Sequence, residues 1–279
     1  MFYVKKMEST DFSFAVQLAN TMDWNMTLTD FEFMSNVEPF GCFVLFNGAD
    51  RVGVVTCVVF GKIGWLGNLV IKNEYQDIGA GSFLLQHAIT YLKQKGVVTI
   101  GLYSYPNLIG FYEKHKFKIN NEFIVFRGTP SGLSVLIEKE IAEKNDFSSL
   151  LDFDKRCVGF NRAKTLIPLF SDKNNIVHFS RQNDVIEGYV LAKIFNQVAE
   201  IGPLITRKNS EPIACDLISI TLRKLVDFEV FIYVPKNSKE LNKWLFKSGL
   251  QKDFSVVRMF LGPTIDKGCL YFPESLERG

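Results

Sequence analysis

The order of residues 11–117 returns in residues 146–250, and this repetition limits the possible folds more than any single motif does. Asp11-Phe12-Ser13 recurs as Asp146-Phe147-Ser148, a displacement of 135 (146 − 11). Gly53 recurs as Gly188, and Leu66-Gly67-Asn68-Leu69-Val70 as Ile201-Gly202-Pro203-Leu204-Ile205, both at 135 (188 − 53 and 202 − 67). Lys72-Asn73 recurs as Lys208-Asn209 at 136 (209 − 73). Phe117 then matches Leu250 at 133 (250 − 117). Four anchors in register favour duplication over the shared rhythm of any two α/β segments. Three residues are missing from the second copy, and they are missing around residues 76–82. A chain of 279 residues suits two such domains.

Each copy alternates strands with helices. In the first, a strand over about 2–7 precedes a helix capped by Thr10 or Asp11 and running to about Asn20. Trp24-Asn25-Met26-Thr27 is a loop, and a second helix covers about 27–35. Residues 41–46 and 51–60 form a hairpin joined at Asn47-Gly48. A strand over 64–71 leads to a helix over 80–95, ended by Gly96. Gly81, Leu84, Leu85, Ala88 and Leu92 fall on one face of that helix. A strand over 97–103, a helix over 106–115 opened by Pro106, and a strand over 118–127 complete the unit. Gly128-Thr129-Pro130-Ser131-Gly132 punctuates the chain and sets expected domain limits of 1–130 and 131–279.

Between strand 64–71 and helix 80–95 stands Gln76-Asp77-Ile78-Gly79-Ala80-Gly81-Ser82. A glycine-rich strand-to-helix turn leaves backbone N–H groups pointing outward at the positive end of the helix dipole. That arrangement suits a phosphate or pyrophosphate. A Cβ in the turn would hold such a ligand away from the backbone. No Lys-Ser/Thr pair follows the glycines, so this is not a Walker A loop. It also lacks the third glycine and distal acid of the dinucleotide fingerprint. The second copy reads Asn209-Ser210-Glu211-Pro212-Ile213-Ala214: no glycine, a proline without an N–H, and a carboxylate where phosphates would sit. Both changes oppose anion binding.

Net charge is +2 with no long Lys/Arg run, so nucleic acid is not an expected partner. No apolar run reaches membrane-spanning length, and Met1–Lys6 reads as a first strand, not a signal peptide. The five cysteines, Cys42, Cys57, Cys157, Cys215 and Cys269, are dispersed and form no CxxC. The three histidines, His87, His115 and His178, pair with none of them. Reduced thiols in a cytoplasmic setting and no metal site are the expectation.

With the strand Leu69-Val70-Ile71 before it, Gln76-x-x-Gly79-x-Gly81 resembles motif A of the GNAT superfamily, the acetyl-CoA-dependent N-acyltransferases, written Q/R-x-x-G-x-G/A. Tyr105 to Phe117 resembles the motif B region, with Lys116 where the family usually has glycine. Trp24 to Asp30 is similar to a "GWN-x-T-x-x-D" segment of a subgroup with two fused GNAT-like domains. Asp154, Val158–Arg162, Gly188-Tyr189-Val190, Ile201–Leu204 and Arg258-Met259 are similar to that subgroup's second half. The resemblance covers nearly the whole chain. It implies an α/β (α+β) fold of two tandem domains, each a mixed, mostly antiparallel sheet flanked by helices. The first would be catalytic and the second degenerate.

The resemblance further implies that Leu69, Val70 and Ile71 pair with the pantetheine arm of acetyl-CoA, and that Gln76, Asp77, Ile78, Gly79, Ala80, Gly81 and Ser82 form the turn that takes its pyrophosphate. A strand amide near Leu69 or Val70 would serve the oxyanion as an amine attacks the thioester directly. Tyr112 matches the family tyrosine that protonates the departing thiolate, and this role is favoured over simple packing beside Phe111 and Phe117. Leu245 holds that place in the second copy (245 − 112 = 133). Asn107 stands where many members hold a CoA-contacting asparagine. Trp24, Asn25 and Asp30 are candidates to line the acceptor pocket, with a helix cap as the competing role. Glu74, His87 and Glu122 qualify as the base by residue type only, and a water chain does as well. Asp154 and Arg162 fit an ion pair bracketing a loop better than a substrate clamp. The implied acceptor is a small-molecule or amino-acid-like amine. A non-catalytic acyl-CoA-binding module and a tandem enzyme with another acyl donor both stay open. A homodimer through the second domain's edge strand is compatible with the sequence but not required by it.

Overall fold

A computed structural model of the chain describes residues 1–132, 140–141, 144–208, 210–265 and 269–279. Asn209, half of the Lys208-Asn209 anchor, lies outside them. Two compact units result: Met1–Leu102 with Leu261–Pro263 and Leu276–Gly279, and Tyr103–Phe260 with Thr264–Ser275.

In the first unit β1 (Phe2–Lys6), β2 (Cys42–Asn47), β3 (Asp50–Phe60) and β4 (Ile63–Ile71) form an antiparallel run, and β5 (Thr99–Ser104) joins β4 in parallel. Helices α1 (Phe12–Asn20) and α2 (Leu28–Val37) cover one face through Phe12, Ala15, Phe31 and Met34, which meet Val44, Val54 and Val70. Helix α3 (Ala80–Gln94) buries Leu84, Leu85, Ala88 and Leu92, the stripe its 3.6-residue period predicts. Gly64 lets it lie close, because a Cβ there would run into Leu92, whereas a Cβ on Gly53 would strike Ile71 of the neighbouring strand.

In the second unit β6 (Lys118–Gly128), β8 (Ile176–Gln182), β9 (Val185–Phe195), β10 (Val198–Thr206), β11 (Glu229–Pro235) and β12 (Gln251–Leu261) run in the order β12-β6-β11-β10-β9-β8. The short β7 (Glu140–Ile141) pairs β8, and β13 (Leu270–Phe272) pairs β10. Only β10 and β11 are parallel. Helices α5 (Phe147–Val158), α6 (Ala163–Ser171), α7 (Glu211–Arg223) and α8 (Lys239–Lys247) flank the sheet, with Leu217, Leu222 and Leu245 in its core. The sheets are thus mixed and mostly antiparallel, as expected.

The duplication is visible in the element limits. β3 and β9 are displaced by 135 at both ends (185 − 50, 195 − 60), as are β4 and β10 (198 − 63, 206 − 71). β6 and β12 are displaced by 133 (251 − 118, 261 − 128). The compact units nevertheless do not divide at residue 130. β6, the closing strand of the first copy, pairs antiparallel with β11 and β12 of the second. Backbone pairing across a repeat is interchangeable because the two copies present the same edge, so sequence order does not dictate the partner.

Residues 106–115, expected as one helix, begin as a 3-10 turn at Pro106–Leu108 and become α4 only over Ile109–Lys114. A tight first turn is common where proline opens a helix. The helix ends through Lys116, whose φ is +70°, in the left-handed region that favours glycine. Its counterpart in the repeat is Gly249, at φ +87° (249 − 116 = 133). The departure from the family glycine therefore costs backbone strain and leaves the end of the helix where motif B puts it. Lys116→Gly should raise unfolding stability by about 0.5–1 kcal/mol, read by urea titration.

Candidate functional site

The site begins with an interruption in the sheet. β4 and β5 pair only over Ile63–Trp65 and Thr99–Gly101. Beyond Trp65 no described strand pairs β4 on that side. A bulge sits at the same point: Thr56 faces Gly67, but Val54 faces Val70, so Asn68 and Leu69 together oppose Val55. Lys72 N–H donates to Val52 O at 2.9 Å. Alternation along an antiparallel strand then turns the Ile71 amide and carbonyl away from β3, toward the side β5 has left. No described strand covers the Leu69–Ile71 edge on that side, and its outward Ile71 N–H can meet a ligand's amide chain.

The turn after β4 is held from its own side chains. Gln76 Nε2 donates to Ile71 O at 3.0 Å and to Asn73 Oδ1 at 3.1 Å, so the motif glutamine ties the loop to the strand end. Asp77 has φ +59° and Gly79 φ +88°, and Gly79 is the N-cap of α3. The helix ladder starts only with Phe83 N–H to Gly79 O, 2.9 Å, so the amides ahead of it project from the helix start. Asp77, Ile78 and Gly79 are exposed, and a Cβ on Gly79 would meet nothing within 4 Å. An accessible, open-mouthed turn at the dipole's positive end fits a diphosphate.

The corresponding edge of the second unit is closed. Arg207 N–H donates to Glu187 O, the equivalent of Lys72 to Val52, so Thr206 turns its backbone outward as Ile71 does. There β13 pairs antiparallel with β10: Leu204 with Phe272, Ile205 with Tyr271, Thr206 with Leu270. Leu204, Ile205 and Thr206 are the counterparts of Leu69, Val70 and Ile71 (204 − 69 = 135). A strand of the chain itself fills the edge that the first unit leaves open. Helix α7 starts with Glu211 and Pro212 after Ser210, and no left-handed glycine precedes it. Sequence reasoning missed β13, because three residues, Leu270 to Phe272, carry too little pattern to be recognised as a strand.

The remaining candidates are distributed as follows. Asn107 is exposed on the 3-10 turn before α4, and Tyr112 is buried on α4. Both belong to the second compact unit. Tyr112 packs edge-on against Phe111 (5.0 Å) and Phe117 (5.9 Å), and burial raises its phenol pKa above the usual tyrosine value. Asp30 closes a capping box with Thr27: its Oδ2 accepts from Thr27 N–H at 2.8 Å and Oγ1 at 2.7 Å. Its carboxylate is thus engaged in starting α2. Trp24 packs against the α1–α2 core, while Asn25 is exposed at φ +53°. Asn20 pins this loop by bonding both the N–H and the carbonyl of Met26.

Residues 276–279 also reach this face of the first unit. A Cβ on Gly67 would run into the Glu277 backbone, and Gly279 lies against the Trp65 ring. Arg278 is buried, with its guanidinium 5.1 Å from the Phe33 ring and Nη1 3.5 Å from Met34 Sδ. No periodicity in the sequence announces that contact.

Of the candidate bases, Glu74 is exposed. His87 is half-buried, edge-on to Phe43 at 4.7 Å, and burial lowers its pKa. Glu122 is paired with Lys236. Asp154 and Arg162 do form an ion pair, each side chain 1% exposed. Among the described residues, no three His, Cys, Asp or Glu side chains gather as a metal site requires, and no helix is long and apolar enough to cross a membrane.

Comparison with known proteins agrees with this geometry. Residues 6–117 match the model of the acetyltransferase (GNAT) family, and residues 150–271 match that of an acetyltransferase (GNAT) domain. No curated protein matches the chain. A provisionally assigned acetyltransferase from Pyrococcus horikoshii is similar in structure, with a TM-score of 0.83 at 20% identity over 100% of this chain and 96% of that one. A GCN5-related N-acetyltransferase from Sphaerobacter thermophilus gives 0.70 at 12% identity over 96% and 98%. One from Kribbella flavida gives 0.58 at 12% over 93% and 71%. At these identities the solved structures speak to the fold, and the two family models speak to descent. The chain belongs to the GNAT acetyltransferases, as a tandem protein with one GNAT domain in each half.

Proposed function

We propose that this protein is an acetyl-CoA-dependent N-acetyltransferase whose first domain carries the cofactor and transfers acetyl to a small-molecule or amino-acid-like amine. The observation that supports this most is the difference between two otherwise matching edges. No described strand covers Leu69–Ile71 beside an exposed glycine turn, whereas Leu204–Thr206 is occupied by β13 beside a turn that has no glycine and includes Pro212, which lacks an N–H. Family members in general use acetyl-CoA. In this reading the Leu69–Ile71 edge takes the pantetheine amides, and the Gly79–Ser82 amides take the diphosphate.

The amine attacks the thioester carbonyl while a strand amide at the bulge stabilises the oxyanion. A carbon–nitrogen bond forms, the carbon–sulfur bond breaks, the nitrogen gives up a proton to water, and the thiolate takes one from an acid. Tyr112 is the proposed donor. A phenol, of pKa about 10, is protonated at neutral pH, as an acid requires.

The cofactor reading is tested by calorimetric titration of acetyl-CoA. Gly81 lies in the first turn of α3, where a glutamate is compatible with the helix dipole. Gly81→Glu should fold normally, yet bind acetyl-CoA at least about tenfold more weakly because it sets a carboxylate against the diphosphate. Equal affinity in both proteins would remove the cradle. Binding without CoA release on any amine would identify a binding module.

A further inference from the structure

A buried polar pair on the α1–α2 face of the first sheet has no counterpart in the repeat. Asn68 stands at the β4 bulge, 4% exposed, with φ +50°. Its Nδ2 donates to Thr56 Oγ1 on β3 at 3.2 Å, and Thr56 is fully buried. Thr56 lies two residues from Val54, which packs under α1 and α2, so the pair shares that face. The other end of the carboxamide, Oδ1, is buried without a hydrogen-bond partner among the described residues. A buried acceptor left unpaired lowers stability, and native chains retain few of them.

The backbone does not account for it. A left-handed φ favours asparagine or glycine, but it does not ask for a carboxamide steered by a threonine. The bulge does not need it either. At a displacement of 135, Asn68 becomes Pro203 and Thr56 becomes Leu191 (203 − 68, 191 − 56), yet the bulge persists between Ile201 and Leu204. The polar pair is absent where the glycine turn and the open edge are absent.

We infer that Asn68 Oδ1 accepts a hydrogen bond from the N–H of the acceptor amine and sets its approach to the thioester beside Leu69. Chemistry narrows the choice of partner. A carboxamide oxygen only accepts, so it repels the developing oxyanion and the diphosphate and offers nothing to the thioester oxygen. At the reacting centre the amine brings the donor, while the pantetheine amide N–H groups are matched by the backbone of the strand edge in this reading. Thr56 is the positioning residue: by accepting from Nδ2 it leaves Oδ1 directed at the incoming group. The inference rests on the acetyltransferase reading above.

Asn68→Gly is the clean deletion, since glycine adopts φ +50° without strain. Acetyl-CoA affinity by calorimetry should stay within about twofold, while kcat/KM for methylamine, read as CoA release, should fall about tenfold or more. Asn68→Asp restores an acceptor and should recover much of the loss. Thr56→Val should raise KM for methylamine and leave acetyl-CoA affinity unchanged. In parallel, methylamine is titrated into wild type saturated with a thioether analogue of acetyl-CoA. The Asn68 side-chain amide NMR signals should shift. Stationary signals, or amine kinetics indifferent to Asn68→Gly with cofactor binding intact, overturn the role of Asn68 alone. Wild type that fails to bind the analogue overturns the acetyltransferase reading itself.

Discussion

Tyr112→Phe should lower kcat for amine acetylation by about a hundredfold or more while leaving acetyl-CoA affinity and folding stability nearly unchanged. The substitution removes one hydroxyl and keeps the ring, so the edge-on contacts with Phe111 and Phe117 survive. No hydrogen bond is formed by that hydroxyl among the described residues, so its loss should cost less than about 1 kcal/mol in a urea titration. A general acid must also hold its proton at working pH. Burial raises the phenol's pKa, so the protonated form prevails through neutrality. Loss of the acid by ionisation should therefore appear only above about pH 10, the ordinary tyrosine range. A turnover number in Tyr112→Phe equal to that of wild type would return the residue to a packing role. Leu245 occupies its place in the repeat, in keeping with chemistry confined to one domain.

Arg162→Ala is expected to destabilise the protein by about 3–5 kcal/mol, the scale for breaking a buried ion pair by removing one partner. Arg162 Nη2 donates to Asp154 Oδ2 at 2.6 Å and Nε to Oδ1 at 3.1 Å, a two-point pairing. Tyr189 Oη donates to the same Oδ2 at 2.6 Å. The truncation leaves Asp154 charged, buried and held mainly by a neutral hydroxyl, which is the costly state. Asp154 sits on α5, Arg162 just before α6, and Tyr189 on β9, so the network ties the helix connection to the sheet. A paired Asp154→Leu, Arg162→Met variant should recover most of the loss, because apolar groups of similar volume carry no desolvation cost. Urea midpoints at constant slope are the measure. A loss below about 1 kcal/mol in Arg162→Ala would mean water reaches the carboxylate.

The two edges differ as the proposed division of roles between the domains requires. A strand edge with outward N–H and C=O groups must be paired, hydrated or covered. In the first unit that need matches a cofactor whose pantetheine arm carries amides. In the second, β13 meets it permanently. A turn without glycines and a strand on the edge are separate features in sequence, yet both oppose the same proposed ligand.

The sequence by itself determined the repeat, the alternation of elements and the position of the glycine turn. These are local: side-chain period, φ-permissive glycines and caps act within a few residues. The capping box of Thr27 and Asp30, the buried stripe of α3 and the ion pair of Asp154 and Arg162 were legible for the same reason. Beyond the hairpin at Asn47-Gly48, only the tertiary structure decided which strands pair. It placed β6 between β11 and β12, laid β13 on β10, and brought residues 276–279 to Trp65 and Gly67. Backbone hydrogen bonds are the same for every residue type, so an edge does not name its partner in advance. That choice follows from which edges remain unfilled when the chain has packed.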